Sequence, residues 1–188
     1  CKVKIPPGDN SDLLGPCKPS DFNAVVDLGD IEQMRKYPFL FMMADGSYHL
    51  NEQERANVKE YVNEGGFMLL DDCVLESVGD FFYWGSYRVL GEIFGQESLK
   101  RIPNDHEVFC NVFDLTEIGL PYLQGRFHPP LGIFIEDRLA LFLSSTDIHC
   151  GWVDRDRTWF PLNEKIGRHT YKEAIQMGIN LIMYALSH

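Results

Sequence analysis

Gly65-Gly66-Phe67-Met68-Leu69-Leu70-Asp71-Asp72-Cys73 is the stretch whose reading decides the fold. Two glycines end a helix, and four apolar residues follow with no polar alternation. That is the pattern of a strand buried on both faces, as in a mainly parallel sheet covered by helices. In such sheets ligands bind beyond the carboxyl ends of the strands. Asp71, Asp72 and Cys73 leave the strand at that end and are the first candidate site residues.

Upstream, Tyr37–Ala44 reads as a second buried strand, with Pro38 tolerated near its start. Asn51 and Glu54 form a capping box that opens a helix, Val58, Tyr61 and Val62 supply its apolar stripe, and Gly65 is a left-handed stop. Strand, helix and strand with short connections make a βαβ unit. Asn23–Leu28 reads as a further strand, whereas residues 1–23, rich in Pro, Gly and Asp, read as an irregular segment.

Downstream, Asp80–Phe94 reads as a helix, with Phe81, Trp84, Tyr87 and Leu90 at helical spacing and Gly95 as terminator. Leu99–Ile102 reads as a short strand. Leu131–Ile135 and Leu139–Ser144 flank Glu136-Asp137-Arg138 as a hairpin. Residues 145–169 read as a long polar loop, and Thr170 with Glu173 caps a final helix. The expected architecture is α/β: a single domain over 1–188, built as a three-layer sandwich. Its sheet is mainly parallel, with an antiparallel hairpin toward the C-terminus.

The chain has 188 residues, enough to bury a substantial core, with 45% hydrophobic and 24% charged residues. Its formal net charge is −11, from 28 acidic and 17 basic residues. A basic phosphate-neutralising surface is therefore not expected, and nucleic acid is excluded as a partner. No run of about 18 apolar residues marks a membrane span, so an integral membrane protein is not expected. Oligomeric state is not legible. A chain that begins at Cys1 is compatible with a mature lipoprotein acylated on that residue, which favours a periplasmic or extracytoplasmic, lipid-anchored reading. An arbitrary boundary explains Cys1 more simply.

The second constellation is Ser144-Ser-Thr-Asp-Ile-His-Cys-Gly-Trp152. If its strand neighbours Phe67–Leu70, then Asp71, Asp72, Cys73, Asp147, His149 and Cys150 converge, and these six are the candidate catalytic residues. His149 and Cys150 face one pocket only if the chain turns at Asp147, a turn that Gly151 has the freedom to make. A Cys beside a His can be an activated nucleophile, and a Cys73–Cys150 disulfide suits an oxidising compartment. Neither thiol lies in a nucleophile elbow, however. The plainer alternative makes Asp72 a cap for the following turn and Cys73 a small buried hydrophobe.

The five cysteines include no CxxC pair, so no residue is assigned as a metal ligand. Three Asp and one His near one strand end leave a divalent cation open as the single cofactor to consider. Asp45 and Gly46, in the loop after Tyr37–Ala44, are candidate binding residues because backbone amides near a helix start can hold an anion. His106 and Trp152 complete the binding candidates. Phe81, Phe82, Tyr83 and Trp84 are able to stack on a sugar or base, although core packing explains them more cheaply.

Tyr37-Pro-Phe-Leu40, Gly65 to Asp72, Asp105-His106, Leu120-Pro-Tyr-Leu123 and Asp147 to Trp152 together resemble a bacterial family of domains of unknown function numbered 4159. The resemblance runs from about Val25 to Leu186. It implies a flavodoxin-like fold similar to class I glutamine amidotransferases and ThuA-like proteins, without bringing an activity or catalytic residues. Two departures stand out: Ala44-Asp45-Gly46 replaces the family's usual Gly-His-Gly type of loop, and the first βα unit is abbreviated. Without a Cys elbow, amidotransferase activity is not expected. The function expected is binding of a small-molecule or carbohydrate-type ligand at the strand ends, in the cell envelope. The alternatives are a hydrolase using the Asp/Cys/His cluster, and a purely structural interaction module.

Overall fold

The computed structural model describes residues 24–44, 46–73, 79–152, 165–166 and 169–188. The segment 1–23 read as irregular, like Asp45, lies outside them. Residues 24–28 form no strand: Asp27 turns its carboxylate onto the Gly29 N–H at 2.8 Å, and Asp30 takes the Gln33 N–H at 3.2 Å. The Asp27 N–H itself goes to the Gln33 side-chain oxygen at 3.3 Å, so these local side-chain bonds turn the chain into a helix start where a strand would have run on. The result is a one-turn helix α1, Ile31–Met34.

Strand β1 is Phe39–Ala44 and strand β2 is Phe67–Asp72. They pair in parallel from Phe39–Phe67 to Ala44–Asp72. Helix α2, Glu52–Asn63, joins them and starts on the capping box: Glu54 N–H to Asn51 at 3.0 Å, Asn51 N–H to Glu54 at 2.7 Å. The helix ends at Gly65, φ 109°. Gly66 is there for space, since a Cβ on it would lie 2.2 Å from the Tyr61 ring. Tyr61 in turn donates its hydroxyl to the Tyr37 carbonyl at 2.9 Å. All six residues of β2 are buried, as two-sided covering requires.

Helix α3 spans Phe81–Phe94, strand β3 only Lys100–Arg101, β4 Leu131–Ile135 and β5 Arg138–Ser144. The hairpin turn is Glu136-Asp137, with Glu136 at φ 56°, and Arg138 already belongs to the strand. Arg138 reaches back across the sheet end to the carbonyls of Val62, Gly65 (3.3 Å) and Gly66 (3.2 Å), a cation on the C-terminal carbonyls of α2. A short pair, β6 (Lys165–Ile166) with β7 (His169–Thr170), precedes helix α4, Tyr171–Ser187.

The main sheet is mixed and open, in the order β1-β2-β5-β4-β3. β5 runs parallel to β2, with Asp71 opposite Ser144, while β4 is antiparallel to β5 and β3 to β4. A register shift at Ile133/Phe134 puts both Ala140 and Leu141 in one cluster. Two apolar clusters result. One joins Met68, Leu70, Leu141 and Leu143 to α2 and α3 through Val58, Val62, Phe82 and Leu90. The other joins Phe67, Leu69, Leu139 and Phe142 to α4 through Met177, Leu181 and Tyr184. No helix among the described residues is long and apolar enough to cross a membrane.

Candidate functional site

Consecutive strand residues point to opposite faces, so the two carboxylates that end β2 serve different partners. Asp72 accepts the Tyr83 N–H at 3.0 Å and thereby caps α3 from the sheet. The residue before that helix, Asp80, makes no cap hydrogen bond itself. The plainer reading made Asp72 a cap for the turn after its strand; its Oδ2 goes instead to the start of α3. Burial, then the charges of Asp80, Asp71 and Asp147, outweigh the Tyr83 N–H and push Asp72 up to about 7.

Asp71, on the other face, meets the chain that leaves β5. Asp147 adopts φ 56°, a left-handed conformation uncommon outside glycine. The chain turns there into a 3₁₀ helix, Ile148–Trp152, with Cys150 N–H on the Asp147 carbonyl at 3.2 Å. The turn folds His149 under Asp71, whose Oδ2 accepts both the His149 backbone N–H (2.9 Å) and Nδ1 (2.6 Å). Asp147 Oδ1 lies 3.1 Å from the same Nδ1. That nitrogen has one proton to give, and the shorter contact to Asp71 takes it.

The turn does not use backbone freedom at Gly151. A Cβ there would lie 2.5 Å from the Ala174 Cβ, so the glycine lets the 3₁₀ segment press against α4. Nε2 of His149 faces Cys150 Sγ at 3.9 Å. Burial pulls His149 down, but the Asp71 hydrogen bond and the charges of Asp71, Asp147 and Asp72 raise it above its ordinary value. Burial and the adjacent Asp147 push the Cys150 thiol far up. Burial raises Asp147 as well, against the pull of His149 and the hydrogen bonds it receives.

A second loop closes the site; sequence reasoning noted its Leu120–Leu123 start only through the family resemblance, and missed Gln124 and His128. Thr146 donates its hydroxyl to the Pro121 carbonyl at 2.6 Å and accepts the Leu123 N–H at 3.2 Å. Gln124 donates its side-chain amide to Asp147 Oδ2. His128 N–H binds Ser145 Oγ at 2.9 Å, and its Nε2 meets Asp80 Oδ2 at 3.1 Å. The His128 ring stacks on Tyr83 (4.7 Å, 15°) and packs edge-on to Trp84 (5.2 Å). Gly125 and Pro129-Pro130, which bracket this loop, mark a turn but not what it carries.

Cys73, Asp147, His149 and Cys150 each offer a donor atom within 4.8 Å of the others, and Asp71 and Asp72 adjoin them. Cys73 and Cys150 are not joined by a disulfide. Trp152 flanks the site as packing: Nε1 donates to the Ala174 carbonyl at 2.7 Å and the ring meets Phe41 at 5.6 Å. Gly46 follows β1 at the same sheet end and has open space around it. His106 is elsewhere, between Phe134 and Tyr184, with Nδ1 accepting the Val108 N–H at 3.1 Å. Of the aromatic run, Phe82 and Tyr83 are core, while Phe81 and Trp84 are 54% and 52% exposed.

These features define an α/β protein whose parallel strands end in a cluster of buried acids, an imidazole and two half-buried thiols. The family model described as Domain of unknown function (DUF4159) matches residues 20–186, and the chain belongs to that family. No curated protein matches the chain.

Proposed function

We propose that this chain is a ligand-binding domain of flavodoxin-like, three-layer build, akin to the class I glutamine amidotransferase and ThuA-like proteins but without amidotransferase activity. The observation that carries the reading is the state of Cys150. Its thiol is half-buried beside the Asp147 carboxylate, and with no metal bound that burial and that negative neighbour push it up, the opposite of the depressed thiol a working nucleophile needs. The ligand class we favour is a small polar or carbohydrate-type molecule. Trp84 is exposed and packs edge-on to His128, and an exposed aromatic face suits stacking on a sugar ring.

One observation favours a second reading. Asp71, His149 and Cys150 are in line, at 2.6 Å and 3.9 Å, as an acid–imidazole–thiol relay would be. Iodoacetamide labelling of the native protein below about pH 7, located by mass spectrometry, separates the two, because only a depressed thiol reacts fast there. Binding predicts slow labelling of Cys150 and a melting-temperature shift with some member of a saccharide panel, lost in Trp84→Ala. Rapid labelling that abolishes a hydrolytic activity would establish the hydrolase instead.

A further inference from the structure

We infer that Cys73, Asp147, His149 and Cys150 form a binding site for one zinc-class divalent cation, with Asp71 as the residue that orients the histidine. The inference does not depend on the saccharide reading. Four donors, two sulfur, one nitrogen and one oxygen, lie within 4.8 Å of one another although the sequence shows no ligand spacing. Donors around a tetrahedral zinc are about 3.3–3.8 Å apart, from metal–ligand bonds of about 2.0–2.3 Å. Modest side-chain adjustment closes that gap, and the His149 Nε2 to Cys150 Sγ separation of 3.9 Å is already near it. Thiolate with imidazole suits zinc rather than calcium or magnesium, which take oxygen.

The independent observation is the set of orphaned carboxylate oxygens. Asp147 is fully buried, with Oδ2 taken by Gln124, and its Oδ1 receives no hydrogen bond among the described residues: it lies 3.1 Å from His149 Nδ1, whose proton goes to Asp71. Oδ1 of Asp71, Asp72 and Asp80 likewise receives no hydrogen bond among the described residues, and none of the three is more than 5% exposed. Buried carboxylates without partners are costly, and only His149 and His128 pair with this group among the described residues. A dication offsets that deficit. Asp71 has the role a carboxylate takes behind a metal-bound histidine: it holds Nδ1 and leaves Nε2 for the ion. With four protein donors the site is closed, the arrangement of a structural or regulatory ion.

The test uses the full chain, stripped of metal and loaded with zinc or cobalt(II). The inference expects one zinc per chain, with X-ray absorption showing two sulfurs at about 2.3 Å and two lighter donors at about 2.0–2.2 Å. It expects a tetrahedral cobalt spectrum with thiolate charge transfer. Cys150→Ser should diminish that charge transfer, the exposed Cys110→Ser should leave it unchanged, and Asp71→Asn should weaken affinity about 10- to 100-fold at unchanged stoichiometry. A first shell without sulfur, no stoichiometric uptake, or a cobalt spectrum indifferent to Cys150→Ser in a folded variant would each overturn it. Should Cys150→Ser fail to fold, the X-ray absorption of the wild-type chain decides alone. A saccharide shift without metal uptake sinks this inference only, and metal uptake without a saccharide shift sinks only the binding reading.

Discussion

Asp71 and Asp72 are adjacent in sequence, chemically identical and fully buried, yet the pleat of β2 sends one to His149 and the other to the start of α3. Their replacements should therefore behave differently. Asp72→Asn keeps an oxygen acceptor for the Tyr83 N–H, whereas Asp72→Ala leaves that buried donor unpaired. Ala should cost about 1–3 kcal/mol of unfolding free energy and Asn clearly less, measured by urea denaturation. Equal losses would mean that Asp72 acts through charge rather than as a cap. Asp71 has no such rescue, because a neutral amide at that position loses the charge assistance that holds the imidazole.

At the scale of elements, the site rests on the contact between the 3₁₀ segment and α4. Gly151→Ala would place a methyl 2.5 Å from the Ala174 Cβ, and overpacking of this kind costs about 1–3 kcal/mol. The expected outcome is a lowered melting temperature together with loss of the Asp71–His149 contact, seen as altered imidazole chemical shifts. An unchanged imidazole would show that the segment is held by β5 alone. At the opposite sheet end, Arg138→Met keeps the stem but uncovers the carbonyls of Val62, Gly65 and Gly66, and should cost about 1–2 kcal/mol without touching the site. The helices and strands around the site were legible because local signals carry them: the Asn51/Glu54 box, the Gly65 stop, and the unbroken apolar runs of β2 and β5; the strand read at Asn23–Leu28 fails because Asp27 and Asp30 bond locally instead. The Gly151 contact was not, since nothing local says which helix passes over a glycine. Gln124 and His128 were missed for the same reason: their partners Asp147 and Asp80 lie 23 and 48 residues away.

For the whole molecule, two effects of distance remain. His106 is held below its ordinary value by burial, against the raising effect of Glu107 and Asp105. The folded state thus disfavours its proton. The stability it contributes is complete above the unfolded value of about 6.5 and is lost as pH falls through that value toward the lower folded one. His106→Asn can keep an acceptor for Val108 N–H but cannot titrate, so its melting temperature should fall less than the wild type's between about pH 7.5 and pH 5. Parallel curves would remove His106 from the acid response. The other effect is the site itself, which exists only because β5 runs parallel beside β2 and brings together residues 78 apart in sequence. Long-range proton–nitrogen NMR on the histidine rings tests that convergence most directly. With Asp71 on Nδ1, His149 should carry its proton on Nδ1, with Nε2 as the free nitrogen when the ring is neutral, and Asp71→Asn should shift its signals. A neutral His149 protonated on Nε2, unmoved by Asp71→Asn, would contradict it.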